Sequence, residues 1–163
     1  MDEPVPRLIE GGLHVDERGV VSFVNDFDFA GVRRFYMIRA HRPGQQRGWI
    51  GHRKEAKWFV AAAGTVLVAV VRPDDWENPS RDLPVQRFVL SAVKPAVLHV
   101  PAGHATGSVA LTDEAVMVVY SSLSLQEAKG DDWRYEGRMW SLCATSDISQ
   151  AGCTAKLDAS ERS

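Results

Sequence analysis

Short runs of apolar and β-branched residues alternate with turn residues along most of the chain. The runs end at glycine, proline, asparagine or aspartate, which is typical of strands that are separated by turns. No long stretch has the period of a helix, and only Ser124 to Lys129 has helical character. The pattern therefore predicts an antiparallel sandwich or barrel. The expected strands cover residues 19–24, 34–39, 57–63, 65–71, 85–90, 96–100, 108–111 and 115–120.

The length of the chain, 163 residues, is that of one domain. Gly64 separates two long apolar runs, 58–63 and 65–71, which predicts a hairpin or a sharp bend between strands. From residue 141 onward the residues become small and polar. We therefore expect a β-barrel domain over residues 1–140 and a weakly ordered tail over 141–163.

Charge and the ends of the chain exclude several functional classes. A net charge of −2 and a pI near 6.2 argue against a nucleic-acid-binding protein. The N-terminus lacks the basic and apolar regions of a signal peptide, and the longest apolar run is too short to span a membrane. Two cysteines, Cys143 and Cys153, do not form a disulfide framework and are expected to be free thiols. These observations predict a cytoplasmic protein that binds neither nucleic acid nor membrane.

Four segments in a fixed order resemble the sugar-nucleotide branch of the cupin superfamily. This branch includes dTDP-4-dehydrorhamnose 3,5-epimerases and dTDP-sugar 3,4-ketoisomerases. The segments are Asp16-Glu17-Arg18-Gly19, Arg47-Gly48-Trp49-Ile50-Gly51-His52 with Lys57 after it, Pro101-Ala102-Gly103-His104-Ala105-Thr106-Gly107, and Tyr120 at a strand end.

The resemblance implies an all-β cupin (double-stranded β-helix, jelly-roll) fold in a single domain. It also implies an epimerase or ketoisomerase that removes a proton alpha to the ketone of a nucleoside-diphosphate 4-keto-6-deoxysugar, without a cofactor. Proteins of this branch are usually homodimers whose N-terminal strands cross to the partner. A homodimer with a nucleotide-sugar substrate is therefore expected.

Arginines and one tryptophan are the expected binding residues. By resemblance, Arg18 and Arg47 contact the nucleotide diphosphate, since guanidinium groups bind phosphate oxygens through two hydrogen bonds. Arg53 beside the central motif is a further candidate, and Trp133 is a candidate for stacking on the base. The alternative is that the arginines are ordinary turn residues and that the tryptophan closes the barrel.

The expected base is His52. The epimerases carry their base where this chain has Ile50, and the ketoisomerases carry a second histidine two residues later, which is His52 here. Residues two apart on a strand point to the same face, and a neutral imidazole is a suitable base near pH 7. Lys57 is expected to stabilise the enolate. By resemblance, the candidates for returning the proton are His104 and Tyr120, which matches an epimerase tyrosine. Tyr36, which matches a ketoisomerase tyrosine, is a further catalytic candidate. For all of them a structural role is the alternative.

Two further expectations come from positions at which the motifs of this chain differ from those of the family. Ile50 and Thr106 stand where metal-binding cupins have histidine ligands, and Arg53 and Lys54 would repel a cation, so no metal is expected. The same departures leave open a non-catalytic cupin that binds sugar nucleotides. A divergent cupin with an unrelated small-molecule substrate is the third hypothesis.

Overall fold

The computed structural model describes residues 4–144, which form twelve strands and one short helix. The helix α1 (Leu125–Ala128) begins at Ser124, whose side chain and that of Glu127 form a capping box. The strands are β1 (Arg7–Glu10), β2 (Gly12–Asp16), β3 (Gly19–Phe23), β4 (Arg34–Arg39), β5 (Gln46–His52), β6 (Lys57–Ala63), β7 (Thr65–Val71), β8 (Gln86–Ser91), β9 (Ala96–Val100), β10 (His104–Ala110), β11 (Val116–Ser121) and β12 (Trp133–Arg134).

Ten of these strands form two five-stranded antiparallel sheets. The first sheet has the order β1-β9-β6-β11-β4, and the second has the order β12-β5-β10-β7-β8. The remaining strands, β2 and β3, form a separate hairpin. Consecutive strands β6 and β7 belong to different sheets, and Gly64 between them has a φ of +62°. Gly64 therefore makes a sharp bend rather than a hairpin, which resolves the two alternatives.

The main hydrophobic core lies between the two sheets. Strand β7 is almost entirely buried, because both of its faces are covered. Its residues Val66, Val68 and Val70 belong to the core between the sheets, whereas Leu67, Ala69 and Val71 pack on the outer side. Each sheet therefore separates an inner face from an outer face, and alternate residues of a strand go to opposite faces.

The segment 135–143 covers the outer face of the second sheet. Trp49 is fully buried there, and its Nε1 donates a hydrogen bond to the carbonyl of Trp140 at 3.0 Å. Leu142 is also buried and lies against Gly107, where any Cβ would collide with the Leu142 side chain. Residues 145–163 of the predicted tail lie outside the described residues, so weak order there stays a prediction.

A β-bulge in β5 determines which of its residues face inward. In the pairing with β10, Thr106 lies opposite Ile50, but Ser108 lies opposite Arg47. One residue of β10, Gly107, therefore lies opposite two of β5, Gly48 and Trp49, and the extra residue changes the alternation. As a result Arg47, Ile50 and His52 all line the space between the sheets.

Most strand predictions are confirmed, as is the helix at Leu125–Ala128. Strand β10 begins earlier than predicted, at His104, because Gly103 (φ +88°) completes the turn immediately before it. The expected free thiol at Cys143 is wrong, since this cysteine is disulfide-bonded. A count of cysteines excludes a framework of disulfides but does not exclude a single bond. No helix within residues 4–144 is long and apolar enough to cross a membrane.

Candidate active site

Two adjoining cavities lie between the sheets, with volumes of about 210 and 220 Å³. Tyr36, Ile50 and Lys57 line both of them. The first cavity, which we call the inner lobe, also contains Arg47 and has apolar walls that include Phe59. The second, the outer lobe, is lined further by Arg34, His52, Glu55, Leu125, Ala128, Lys129 and Asp132. The candidate base therefore faces a space that continues into a partly apolar chamber.

The contacts of His52 fix the roles of its two ring nitrogens. Nδ1 lies 2.6 Å from the backbone carbonyl oxygen of Asp131, which can only accept a hydrogen bond. Nδ1 therefore carries the proton, and Nε2 has the lone pair. Nε2 lies 2.6 Å from the Lys57 Nζ, which donates to it. This is the tautomer that a base using Nε2 requires.

A carboxylate that is fully buried, Glu55, lies beside this pair. Its Oε1 accepts hydrogen bonds from the Arg34 Nη2 at 2.9 Å and from the Ser121 hydroxyl. Its Oε2 lies 3.0 Å from the His52 Nδ1 and 3.5 Å from the Lys57 Nζ. Burial would raise the pKa of the Glu55 carboxyl, but His52, Lys57 and Ser121 outweigh burial and lower it to about 2. Glu55 is therefore ionised at neutral pH.

Asp131 holds the turn that carries Glu55. Its carboxylate accepts hydrogen bonds from the backbone N–H groups of Arg53, Lys54 and Glu55 at 2.8, 2.8 and 3.0 Å. Asp131 is buried, and its backbone carbonyl accepts a hydrogen bond from the His52 Nδ1. One residue therefore positions both the imidazole and the turn between β5 and β6.

Lys57 begins β6 and is also buried. Burial lowers its pKa below the ordinary value for lysine, although the charge of Glu55 opposes this effect. An ammonium with little water around it and a carboxylate on one side interacts strongly with any anion that develops in the cavity. Because its Nζ lies beside the His52 Nε2, this positive charge is next to the unprotonated nitrogen of the imidazole.

Tyr36 lies on β4 and lines both lobes. The guanidinium of Arg34 lies 5.3 Å from the centre of its ring. Burial, together with the charge of Glu55, raises the pKa of the phenol, so it stays protonated at neutral pH. Tyr36 therefore reaches the cavity from the first sheet, whereas His52 reaches it from the second.

The structure separates Tyr120 from this group, whereas His104 lies beside His52 but lines neither lobe. Tyr120 belongs to β11, whose residues Met117 and Val119 face the inner core. It points to the outer face, where its ring packs against Phe27 and Phe29 at 6.0 and 5.4 Å between centres. His104 lies opposite His52 in the strand pairing, and its Nδ1 is 3.0 Å from the carbonyl of Pro101. Within this chain, Tyr120 is not brought to the cavity.

Of the four expected binding residues, Arg47 lines the inner lobe. Arg18 lies on the exposed turn of the β2–β3 hairpin and pairs with Asp16 at 2.5 Å. Arg53 is exposed, and its guanidinium lies 5.7 and 5.6 Å from the rings of Trp76 and Trp133. Trp133 pairs with Gly51, so it shares the outer face with this glycine.

Four residues of the hydrogen-bond network around His52 were not predicted from the sequence: Arg34, Glu55, Ser121 and Asp131. Ser121 and Asp131 are separated by at least 66 residues from the side chains that they contact, so no local pattern identifies them. For Glu55 the sequence offers one indication of a contact with the candidate base, because Glu55 lies three residues after His52. Within residues 4–144, no group of three or more histidine, cysteine, aspartate and glutamate residues could hold a metal ion.

The geometry combines a base, a cation beside it and a protonated phenol around one cavity. This set can remove a proton from carbon, stabilise the resulting enolate and return a proton from another side. Such chemistry applies to carbon atoms that are activated by a neighbouring ketone.

A protein-family model described as "FdtA: WxcM-like, C-terminal" matches residues 6–133. No curated protein matches the chain.

Solved structures with a similar fold include several enzymes of nucleotide sugars. ChmJ, a 3'-monoepimerase from Streptomyces bikiniensis in complex with dTDP-quinovose, has a TM-score of 0.66 and 19% identity, over 91% of this chain and 83% of ChmJ. A mutant of the 3,4-ketoisomerase QdtA from Thermoanaerobacterium thermosaccharolyticum, in complex with TDP-4-keto-6-deoxyglucose, has a TM-score of 0.61 and 19% identity, over 82% and 90%. The rmlC epimerase of Mycobacterium tuberculosis has a TM-score of 0.64 and 20% identity, over 81% and 69%. The predicted all-β cupin fold is confirmed.

Proposed function

Because the chain belongs to the family described as FdtA, WxcM-like, C-terminal, we propose that it is an isomerase of nucleoside-diphosphate 4-keto-6-deoxysugars. Its structural relatives include an enzyme in complex with TDP-4-keto-6-deoxyglucose, which makes this sugar the first substrate to test. The observation that carries the proposal is the His52 imidazole, whose Nδ1 is bonded to the Asp131 carbonyl and whose Nε2 meets Lys57 in the cavity.

We assign the base to the His52 Nε2. It takes the proton from C3, and the electrons of the C–H bond move toward the C4 ketone to form an enolate. The Lys57 ammonium turns from Nε2 to the enolate oxygen when the sugar is bound, while Arg47 faces the diphosphate from the inner lobe. Lys57 therefore lies where the negative charge develops on the enolate oxygen.

Among the two reactions, we propose 3,4-ketoisomerisation. Tyr36, which matches a ketoisomerase tyrosine, lines the cavity, whereas Tyr120, which matches an epimerase tyrosine, lies on the outer face. Tyr36 returns a proton to C4, and the proton of the C3 hydroxyl passes to the former ketone oxygen. The proton on His52 is then released to solvent and the Tyr36 phenolate takes one up, so both groups return to their starting states. The ketone has then moved from C4 to C3, and no atom is gained or lost.

The experiment is to incubate the protein with TDP-4-keto-6-deoxyglucose in deuterated water and to follow the sugar by NMR. A 3,4-ketoisomerase gives a 3-keto product with deuterium on carbon, whereas a 3,5-epimerase keeps the C4 ketone and exchanges C3 or C5. The absence of exchange on this and related keto-sugars would contradict the proposal.

Ile50 and Thr106 line the inner lobe where relatives carry histidine, which favours a second candidate, a binding protein without turnover. Thermal stabilisation by dTDP without exchange would identify it. The absence of stabilisation by any nucleotide would instead favour a cupin with an unrelated substrate.

We also propose that the protein is a homodimer. Apolar side chains that are more than half exposed cover the β2–β3 hairpin and β4; Val15, Val20, Val21, Phe35 and Met37 are 67%, 60%, 60%, 60% and 63% exposed. Such a surface is typical of an interface. Light scattering should give twice the chain mass of 18.0 kDa, and Met37→Lys should weaken the assembly. A monomeric mass for the wild type would contradict this proposal.

A further inference from the structure

We propose that Glu55 is the positioning carboxylate of the candidate base: it stabilises the imidazolium that forms when His52 takes the proton. This inference rests on the proposed function for the identity of the base. It assigns to Glu55 a role that does not require contact with the substrate.

The two oxygens of Glu55 have different surroundings. Oε1 is bound by the Arg34 guanidinium at 2.9 Å and by the Ser121 hydroxyl, which come from β4 and β11. Within residues 4–144, Oε2 has no hydrogen-bond partner, although it is buried, lies 3.0 Å from the His52 Nδ1 and has the Lys57 Nζ at 3.5 Å. One oxygen is therefore anchored, and the other faces the imidazole with unused accepting capacity.

An unsatisfied oxygen on a buried carboxylate is costly, so its position calls for a physical explanation. In the resting site the Nδ1 proton goes to the neutral Asp131 carbonyl at 2.6 Å. A carbonyl cannot neutralise a positive ring, but a carboxylate at 3.0 Å can. Once Nε2 is protonated, the Nδ1–H group can be shared with Oε2, which then acquires its missing partner. The arrangement has the same logic as the aspartate that orients and stabilises the histidine in a serine protease triad.

Several other charged or titratable groups face His52. Some of them stabilise a positive charge on its ring, and others destabilise it. Lys57 at 2.6 Å opposes a positive ring, and Glu55 favours it. The remaining groups are Arg34, Tyr36, Lys129 and Asp132, which share the outer lobe, and His104, which lies opposite His52 on β10. A variant that changes the charge of Glu55 alone isolates its contribution from theirs.

The test is a titration of the His52 ring by nitrogen-15 NMR in the substrate-free protein, with its signal among the five histidines assigned through His52→Gln. Glu55→Gln keeps the shape of the side chain and removes its charge. We expect the titration midpoint of His52 to move to lower pH by about 1 unit or more, because the charged ring loses its counterion. Glu136→Gln is the matched control, since Glu136 is exposed and pairs with Arg81 at 3.2 Å. It should leave the midpoint unchanged.

Turnover provides the second measurement. Glu55→Gln should lower kcat by about 10- to 100-fold with little change in KM, as expected of an interaction made mainly in the transition state. The acidic limb of the rate profile should move to lower pH with the NMR midpoint. An unchanged midpoint in a folded Glu55→Gln protein would overturn the inference.

Glu55→Asp covers the case in which Glu55→Gln fails to fold around Arg34. It keeps the charge but withdraws it from the ring, so the expected shift is in the same direction and smaller. A midpoint equal to that of the wild type in Glu55→Asp would also contradict the role. Because the titration needs no substrate, it decides the role of Glu55 even if the protein isomerises none of the keto-sugars tested.

Discussion

Residues that are neighbours in sequence lie on opposite faces of the first sheet, and the two faces give them very different surroundings. On the inner face, Arg34, Tyr36 and Lys57 surround a buried carboxylate and a cavity. On the outer face, Phe35 and Tyr120 pack with each other at 6.2 Å between ring centres. Residues adjacent in sequence, such as Phe35 and Tyr36, thus lie on opposite sides because strand side chains alternate. A residue's side of the sheet, more than its chemical type, therefore determines whether it can reach the cavity.

The largest effect is expected for the inner-face histidine. His52→Gln keeps a polar side chain but removes the base, so the rate of exchange should fall by about 10³- to 10⁴-fold. The control is His41→Gln, since His41 is exposed and lies outside both lobes. The measurement is deuterium uptake by the keto-sugar. Equal losses in the two variants would show that the effect is not specific to the inner face.

Lys57→Met should lower the rate by about 10²- to 10³-fold, because it removes the cation beside the base. The same substitution should also change how the reaction rate depends on pH. Since burial lowers the pKa of Lys57, the wild type should lose activity with rising pH before an ordinary lysine would deprotonate. The variant should lack this alkaline limb. Lys54→Met, on the exposed turn nearby, is the control and should keep both rate and profile.

Tyr36→Phe removes only the phenol oxygen from the cavity wall. Loss of a positioned acid should reduce product formation by about 10²-fold. Removal of the C3 proton depends on His52, so exchange at C3 should fall less than formation of the 3-keto product. Both rates can be read from the same NMR time course. An equal rate of product formation in Tyr36→Phe and the wild type would exclude Tyr36 as the acid.

The smallest effect is expected for the outer-face tyrosine. Tyr120→Phe keeps the ring that packs with Phe27 and Phe29, and the hydroxyl does not line the cavity. The rate should remain within about twofold of the wild type, as for an ordinary surface change. A loss as large as that of Tyr36→Phe would mean that Tyr120 reaches an active site by another route, for example in a partner subunit.

Eight of the twelve strands in residues 4–144 could be predicted from the sequence because each of them carries its own signal of apolar residues and turns, whereas β1, β2, β5 and β12 were not predicted. The face of each residue was harder to predict. Met117, Val118 and Val119 are all apolar, so alternation alone does not reveal that Tyr120 points outward. In β5 the bulge shifts Arg47 to the inner face, and a bulge depends on pairing with β10 rather than on local sequence.

For the site, the resemblance gave His52, Lys57, Tyr36 and Arg47 as candidates, and the structure brings them to the two adjoining lobes. The supporting network was missed for a physical reason. Glu55 depends on Arg34 and Ser121, and His52 depends on Asp131, so these contacts exist only after distant strands have paired. Hydrogen bonds of this kind follow from the tertiary structure.

The most direct test of the inner-face site is a parallel time course of deuterium uptake into TDP-4-keto-6-deoxyglucose by the wild type, His52→Gln and Tyr120→Phe. The expected result is rapid uptake with the ketone at C3 for the wild type and Tyr120→Phe, and almost no uptake for His52→Gln. Uptake by His52→Gln at the wild-type rate, or its loss in Tyr120→Phe alone, would contradict a reaction carried by the inner face.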